Sequence, residues 1–306
     1  MTVNFDLQRR VATLGLLALA ATRPAHSAEG TLERLPTLGA PGIAPRNVDV
    51  WLPPEFDRRR RYATLYMHDG QMLFDARQTW NGKAWHVDRV AAQLVANKVL
   101  QDFIVVAIAN DPQRRHAEYF PQQALAHLQP PALRRRFIDE ALGGTPAGDA
   151  YTRFVAEVVK PAVDARYPTL NARAATFIMG SSMGGLASLQ ALCEYPKIFG
   201  AAACLSTHWI GSFERNDEIP AALLAYLRRK LPAADQIRIY MDRGTRDLDA
   251  LYDSAQAKVD AMLAEKGYSP PVFISKVFDG ATHDETAWSA RLAEPLTFLL
   301  GREHAR

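Results

Sequence analysis

Residues 174–185 read Ala174-Ala175-Thr176-Phe177-Ile178-Met179-Gly180-Ser181-Ser182-Met183-Gly184-Gly185. The first six suit a buried strand, and helical spacing follows from Leu186 to Cys193. Between them, Gly180-Ser181-Ser182-Met183-Gly184 is a Gly-x-Ser-x-Gly in strand–turn–helix context, the setting of a nucleophile elbow. Small residues on either side allow a tight, strained turn that lifts the Ser182 hydroxyl clear of the sheet. The helix N-terminus beneath it offers unpaired N–H groups to a developing oxyanion, with Met183 able to donate one. The segment fails as a dinucleotide fingerprint, because Gly-x-Gly-x-x-Gly spacing is absent. It fails as a phosphate loop for want of Gly-Lys-Ser/Thr.

Outward from this turn the chain alternates strand and helix. Strands are expected at 47–52, 62–67, 103–108, 174–179, 201–206, 237–241 and 272–278. Helices are expected around 85–95 and over 154–165, 186–193, 219–231, 251–263 and 285–300. Phe103 to Ile108 is apolar at every position, as a central parallel strand should be. Such alternation implies an α/β fold with one mostly parallel sheet covered on both faces. No internal repeat or second core is visible, so residues 47–306 are read as one domain. Residues 111–150 hold Pro121, Pro130-Pro131, Arg134-Arg135-Arg136 and Gly143-Gly144, and read as a long excursion over one end of the sheet. The arginine run reads as a solvated helix face.

A serine hydroxyl is hardly ionised near neutral pH and needs a base. Of eight histidines, His68, His208 and His283 directly follow expected strands. His283 is the best base, since it follows the last strand and comes after the serine in chain order. His68 reads as a structural histidine in the loop after the second strand, where oxyanion donors arise. The base needs a carboxylate to hold its tautomer. Residues 240–249 supply Asp242, Asp247 and Asp249 just past a strand, in the Ser–Asp–His chain order that this kind of sheet uses.

Composition bounds the rest. The chain has 306 residues, 48% hydrophobic and 23% charged, too apolar for disorder. Its formal charge is +3, of which Arg9, Arg10 and Arg23 against Asp6 carry +2. A nearly neutral remainder leaves no electrostatic footprint for nucleic acid or anionic membranes. Arg9-Arg10, the apolar run Val11–Ala21 and the small residues Ala25 to Ala28 read as an export signal over 1–28, followed by a linker over 29–46. The expected location is periplasmic or secreted. No later run of 18 apolar residues exists, so no integral membrane segment is expected after signal cleavage. Cys193 and Cys204 are the only cysteines, too few for a disulfide framework or a zinc site, and both are expected as buried thiols.

At this point the chain resembles the putative-esterase family of α/β-hydrolases, the group of enterochelin, feruloyl and S-formylglutathione esterases. The resemblance runs from about 45 to 300. It is carried by Val50-Trp51-Leu52-Pro53-Pro54, Met67-His68-Asp69-Gly70-Gln71, Leu73-Phe74-Asp75, Arg115-His116-Ala117-Glu118-Tyr119-Phe120-Pro121, Gly180 to Leu186, Gly244-Thr245 with Asp247, and Gly280-Ala281-Thr282-His283 with Trp288. It implies the α/β-hydrolase fold, Ser182 as nucleophile, His283 as base and Asp247 as acid. It places the second oxyanion donor at the Gly70 or Gln71 amide. Ser206-Thr207-His208-Trp209 stands where many members read Ser-Pro-x-x-Trp, and these residues, His208 and Trp209 among them, are expected to line the substrate pocket.

Asp247 and Asp249 are two residues apart, and in an extended loop they point to opposite sides. Asp249 also suits the start of the helix through Leu251. Asp247 is therefore assigned to His283, with Asp249 the alternative acid. The expected function is a secreted serine hydrolase that cleaves small-molecule carboxylic esters through an acyl-enzyme, with no metal or organic cofactor. Acyl transfer by the same triad is the alternative within this class. A non-catalytic binding protein is the alternative outside it. Oligomeric state is left open.

Overall fold

A computed structural model describes residues 29–302. The expected export signal over 1–28 lies outside the described residues. In chain order the strands are β1 (Thr31–Arg34), β2 (Leu38–Ala40), β3 (Ile43–Arg46), β4 (Val48–Leu52), β5 (Ala63–Met67), β6 (Phe103–Ile108), β7 (Thr176–Ser181), β8 (Ala201–Leu205), β9 (Arg238–Arg243) and β10 (Phe273–Val277). Eight of them form one sheet, in the order β1-β4-β6-β5-β7-β8-β9-β10. The β1/β4 and β4/β6 pairs are antiparallel. From β6 to β10 every pair is parallel. The mostly parallel sheet of the α/β class is therefore present, with helices on both faces.

Strand periodicity divides the core. Ile104, Val106 and Ile108 join one buried cluster, with Ile178, Ala202 and Cys204 beside them. Phe103, Val105 and Ala107 point the other way and join Phe177, Met179, Ala201 and Ala203. The first cluster is covered by helices that include Met183–Glu194, Glu218–Lys230 and Asp253–Glu265. The second is covered by Val87–Ala96 and the two C-terminal helices. Both faces being buried explains why β6 has no polar alternation, whereas the edge strand β10 alternates and leaves Val277 exposed. Cys193 and Cys204 are unpaired thiols within the first cluster, and burial pushes the Cys193 thiol up to about 12.

Three stretches differ from the sequence reading. The expected linker 29–46 contains β1, β2 and β3. Thr31 pairs with Leu52 and Arg34 with Asp49 along β1 and β4, while β2 and β3 form a separate two-stranded ladder. These strands are short, and Pro45 interrupts the pattern by which a strand is recognised. Arg46 of β3 is buried and makes a two-pronged ion pair with Glu118, at 2.6 and 2.8 Å. The expected excursion 111–150 is built of helix Arg115–Tyr119, a 3₁₀ turn Gln122–His127 and helix Pro131–Ala141, after which the next helix begins at Gly148. The last expected helix is broken at Leu292 into Glu285–Arg291 and Ala293–Leu300. Pro295 explains the break, because it has no N–H to give to the carbonyl of Arg291.

Candidate active site

Ser182 stands at the join of β7 and helix Met183–Glu194 with φ +56° and ψ −121°, a conformation that side-chain-bearing residues rarely adopt. The surrounding backbone holds it there. Its N–H donates to the Leu205 carbonyl at 2.9 Å, and its carbonyl accepts from Gly185 N at 3.0 Å and His208 N at 3.1 Å. Two glycines are required by contact. A Cβ on Gly180 would lie 2.8 Å from the Gly184 carbonyl carbon, and one on Gly185 would lie 2.7 Å from Thr207 Oγ1. Larger residues would push the helix off the strand and lower the turn. Ser182 faces a cleft of about 650 Å³, which Met183, His208, His283 and Arg115 also line.

His283 lies on the loop after β10, across the same cleft. Its Nδ1 is 2.5 Å from Asp249 Oδ1. This corrects the expected pairing with Asp247. Residues 247–251 form a 3₁₀ turn, so the alternation of an extended loop does not apply. The turn sends Asp249 inward, where it has no exposure, and leaves Asp247 exposed at the cleft rim with φ +53°. The other oxygen of Asp249 accepts from Gly244 N at 2.5 Å and from Ser206 Oγ at 2.7 Å. Ser206 Oγ in turn accepts from Trp288 Nε1 at 3.0 Å and from an Arg291 nitrogen at 2.9 Å. Asp242, the remaining candidate, is tied to Arg291 at 3.1 Å and does not reach His283. The ring of His283 rests edge-on against Trp288 and Tyr252, at centroid distances of 5.1 and 5.8 Å.

Met183 occupies the first turn of its helix, where N–H groups have no partner within the helix, and it lines the cleft. The facing loop is Asp69-Gly70-Gln71-Met72. Asp69 is left-handed, with φ +56°, and Gly70–Met72 is one 3₁₀ turn. Gly70 packs so tightly on β6 that a Cβ would come within 2.6 Å of the Ala107 carbonyl carbon. The Gln71 side chain is turned to Asn110, accepting from its backbone N at 3.1 Å. Of this loop Asp69 and Met72 line the cleft, whereas Gly70 and Gln71, the expected oxyanion donors, are not among its lining residues. Burial would raise the Asp69 carboxyl, but Arg115, at 2.7 and 2.8 Å, and Asn110 outweigh it and hold it below the usual carboxylate range. His68 is fully enclosed, with Nδ1 2.8 Å from the Tyr151 hydroxyl, and burial pushes its pKa down to about 4.

Of the two residues expected in the pocket, His208 lines the cleft and Trp209 does not. Trp209 points into the core, 1% exposed, and its indole N–H donates to Gln256 at 2.7 Å. The mouth is instead bordered by Trp80, 85% exposed, and Phe213, 74% exposed. Sequence reasoning missed both, along with Tyr252, and expected Ser206 in the pocket lining, whereas the structure sets it beside Asp249 instead. Trp80 and Phe213 sit in irregular segments with no periodic signal. Ser206 stood inside a recognised motif, immediately after a strand end. Among the described residues, no group of three His, Cys, Asp or Glu is placed to hold a metal ion, and no helix is long and apolar enough to cross a membrane.

Known proteins place this geometry in context. The chain is 22% identical over 268 residues to the uncharacterized protein YbbA of Bacillus subtilis, covering 85% of this chain and 94% of that protein. It is 21% identical over 263 residues to the uncharacterized protein YjcH of the same organism, covering 82% and 90%. Its fold matches the enterobactin esterase FES of Shigella flexneri with a TM-score of 0.66 at 18% identity, covering 90% of this chain. The match spans only 60% of the FES chain. It also matches a ferulic acid esterase of Anaeromyces mucronatus, with a TM-score of 0.60 at 17% identity and coverage of 88% and 90%. The model of the family described as "Putative esterase" matches residues 44–299. The chain therefore belongs to that family of esterases, and its fold is that of the α/β-hydrolases.

Proposed function

We propose that this esterase works through an acyl-enzyme on Ser182, with His283 as general base and Asp249 as the carboxylate that orients it. The observation carrying this reading is the contact of Asp249 with His283 Nδ1 in the cleft that holds the strained Ser182. A proton on Nδ1 leaves Nε2 as the acceptor for the Ser182 hydroxyl proton. Ser182 Oγ then attacks the ester carbonyl, and the alcohol departs with the proton returned by His283. Water, deprotonated by His283, attacks the acyl-enzyme and releases the acid. The Met183 amide is the first oxyanion donor, and the Gly70–Gln71 turn supplies the second.

The exposed Trp80 and Phe213 at the mouth, with Trp85 and Trp288 along the cleft, favour an ester that carries a flat aromatic group. The enterobactin and ferulic acid esterases that share the fold agree with such a substrate. The leader over 1–28 implies that the enzyme acts after export, outside the cytoplasm.

A fluorophosphonate probe tests the core of the proposal. It should label Ser182 stoichiometrically, and Ser182→Ala should abolish both labelling and hydrolysis of an aryl ester. Labelling at another residue, or more than about a tenth of wild-type kcat in Ser182→Ala, would overturn it, because nucleophile loss costs orders of magnitude more. A panel of aryl, feruloyl, siderophore-lactone and thioester substrates then ranks the acyl preference.

A further inference from the structure

Two buried carboxylates flank Ser206, and only one of them touches His283. Ser206 follows β8 with φ +45° and has no exposure. Its N–H donates to the Asp242 carbonyl at 2.7 Å. Its hydroxyl oxygen has three neighbours: Asp249 Oδ2 at 2.7 Å, Trp288 Nε1 at 3.0 Å and Arg291 Nη2 at 2.9 Å. The same Arg291 nitrogen donates to Asp242 Oδ1 at 3.1 Å, and the Tyr240 hydroxyl donates to the other oxygen of Asp242 at 3.2 Å. Asp242, Asp249 and Arg291 are all buried, so salt and water screen their charges little.

The partners fix the direction of each bond. An indole N–H and a guanidinium can only donate, so both lone pairs of the Ser206 oxygen are taken and its hydrogen points at Asp249. A hydroxyl that accepts from a cation is polarised and donates more strongly. The Arg291 charge thus reaches the triad acid as a hydrogen bond, while the guanidinium itself is paired with Asp242. We propose that Ser206 and Asp242 are positioning residues of this esterase: Ser206 relays Arg291 to Asp249, and Asp242 offsets the Arg291 charge so that the buried group becomes neutral when His283 takes the Ser182 proton. This inference rests on the reading of Ser182, His283 and Asp249 as the triad.

Charge explains why Asp242 matters although it never meets His283. With His283 neutral, Asp242, Arg291 and Asp249 together carry one net negative charge. Once His283 holds the Ser182 proton, the same group with its imidazolium is neutral. An unmatched charge away from water is costly, so the arrangement favours the protonated imidazole that forms on attack. Only such a difference between ground state and transition state accelerates a step. Without the Asp242 charge the order reverses: Arg291 already offsets Asp249, and the imidazolium is surplus. Burial pushes the Asp242 carboxyl up, with Arg291 and Tyr240 opposing it. Tyr240 and Cys204, beside Asp242, stay uncharged because burial pushes both up as well. The other polar groups around His283 are Tyr252 and His208, the Lys83–Asp284 and Arg115–Asp69 pairs, and Asp247 and Glu285 in the cleft lining. None of these changes in the variants below, so they set where the pH profile starts and not which way it moves.

The test measures kcat and kcat/KM for an aryl ester across the acid limb, which reports the base of the free enzyme. It compares wild type with Ser206→Ala, Asp242→Asn and the Asp242→Asn/Arg291→Gln double variant. Ser206→Ala should lower kcat about 10-fold, the scale of one lost hydrogen bond to a charged group. Asp242→Asn keeps the shape of the side chain and should move the acid limb to lower pH by about one unit, the scale of a unit charge a few hydrogen bonds away. Its plateau should be about 3- to 10-fold lower, because a weaker base takes the Ser182 proton less readily. The double variant removes both charges and should bring the limb back to within about 0.3 pH unit of wild type, although it alters more packing than the single variant. An unmoved limb in Asp242→Asn would show that its carboxyl carries no charge that His283 feels, and would overturn the proposal. A double variant whose limb stays displaced would overturn it too, as would Ser206→Ala with wild-type kcat. Should the double variant fail to fold, the direction of the limb in Asp242→Asn decides; should Asp242→Asn fail, the kcat of Ser206→Ala decides. Wild-type enzyme whose Ser182 stays unlabelled by a fluorophosphonate would sink the triad and this inference with it. A labelled Ser182 with an unmoved limb would sink only the inference.

Discussion

Replacing Asp249 with asparagine changes almost no volume but removes one acceptor from a carboxylate that uses both oxygens. Oδ2 receives the Gly244 N–H and the Ser206 hydroxyl. The Ser206 oxygen already accepts from Trp288 and Arg291, so its own hydrogen is committed to Asp249. An amide NH₂ in the Oδ2 position would face two donors with nothing to give it an acceptor. The asparagine carbonyl is therefore driven into that position, and its NH₂ turns to His283 Nδ1. The imidazole can accept there only with its proton on Nε2, and Nε2 then cannot take the Ser182 proton. Wrong-tautomer loss of this kind is on the order of 10⁴ in kcat, or about 5 kcal/mol at ~1.4 kcal/mol per decade.

The assay is steady-state hydrolysis of an aryl ester beside a thermal melt. Asp249→Asn should melt as a folded protein with kcat about four decades down. Asp247→Asn is the control: Asp247 is exposed at the rim, and asparagine tolerates its left-handed backbone as well as aspartate does. That variant should stay within about twofold of wild type, with stability changed by about 0.5 kcal/mol or less. A kcat for Asp249→Asn above about a tenth of wild type would refute the tautomer argument. A dead Asp247→Asn would refute the assignment of the acid.

Three further outcomes follow from the same contacts. Ser182→Gly removes a side chain from a backbone at φ +56°, and should raise Tm by roughly 2–4 °C as about 1–2 kcal/mol of strain is relieved; an unchanged or lower Tm would show the turn to be unstrained. Glu118→Gln leaves Arg46 charged and buried without its partner, and should cost about 3–5 kcal/mol in denaturant melts; a loss under about 1 kcal/mol would show that water reaches the pair. His68 has a folded pKa of about 4 against 6.5 unfolded, so the unfolded chain alone binds its proton between those values. Stability should fall as pH drops from 6.5 towards 4, by up to about 3 kcal/mol from this group, and His68→Asn should flatten that part of the Tm–pH curve; an equally steep curve in the variant would assign the loss to other groups.

The parallel half of the fold was legible because burial on both faces leaves a plain mark. Phe103–Ile108 and Ala201–Leu205 can be nothing but central strands once flanked by helical spacing. The antiparallel edge was not legible. Thr31–Arg34 is mostly exposed, and its fit to β4 rests on Arg34 meeting Asp49 and on Trp51 reaching the Glu29 carbonyl. Those are contacts between distant residues, with no local period to betray them. Pro295 was visible, but a helical stripe through 285–300 continues across the break, so spacing alone kept the two helices joined.

Ser182 and His283 could be found in the sequence because each is fixed by its own strand end, a local property. The carboxylate differs in kind. Asp247 and Asp249 share one loop and one chemistry, and what separates them is supplied by other elements: the Gly244 amide at the end of β9 and Ser206 after β8, whose own oxygen is held by Trp288 and Arg291 of helix Glu285–Arg291. A buried carboxylate is stable only where enough donors converge on it, and the donors converge on Asp249. An exposed aspartate two residues earlier needs none. The same reasoning covers Trp209. Its indole N–H finds Gln256 inside the core, so the ring has no need of the cleft, and His208 beside it takes the place at the elbow. Where a polar side chain settles in this site is decided by the partners brought to it from other strand ends, and its own neighbours in sequence carry little of that information.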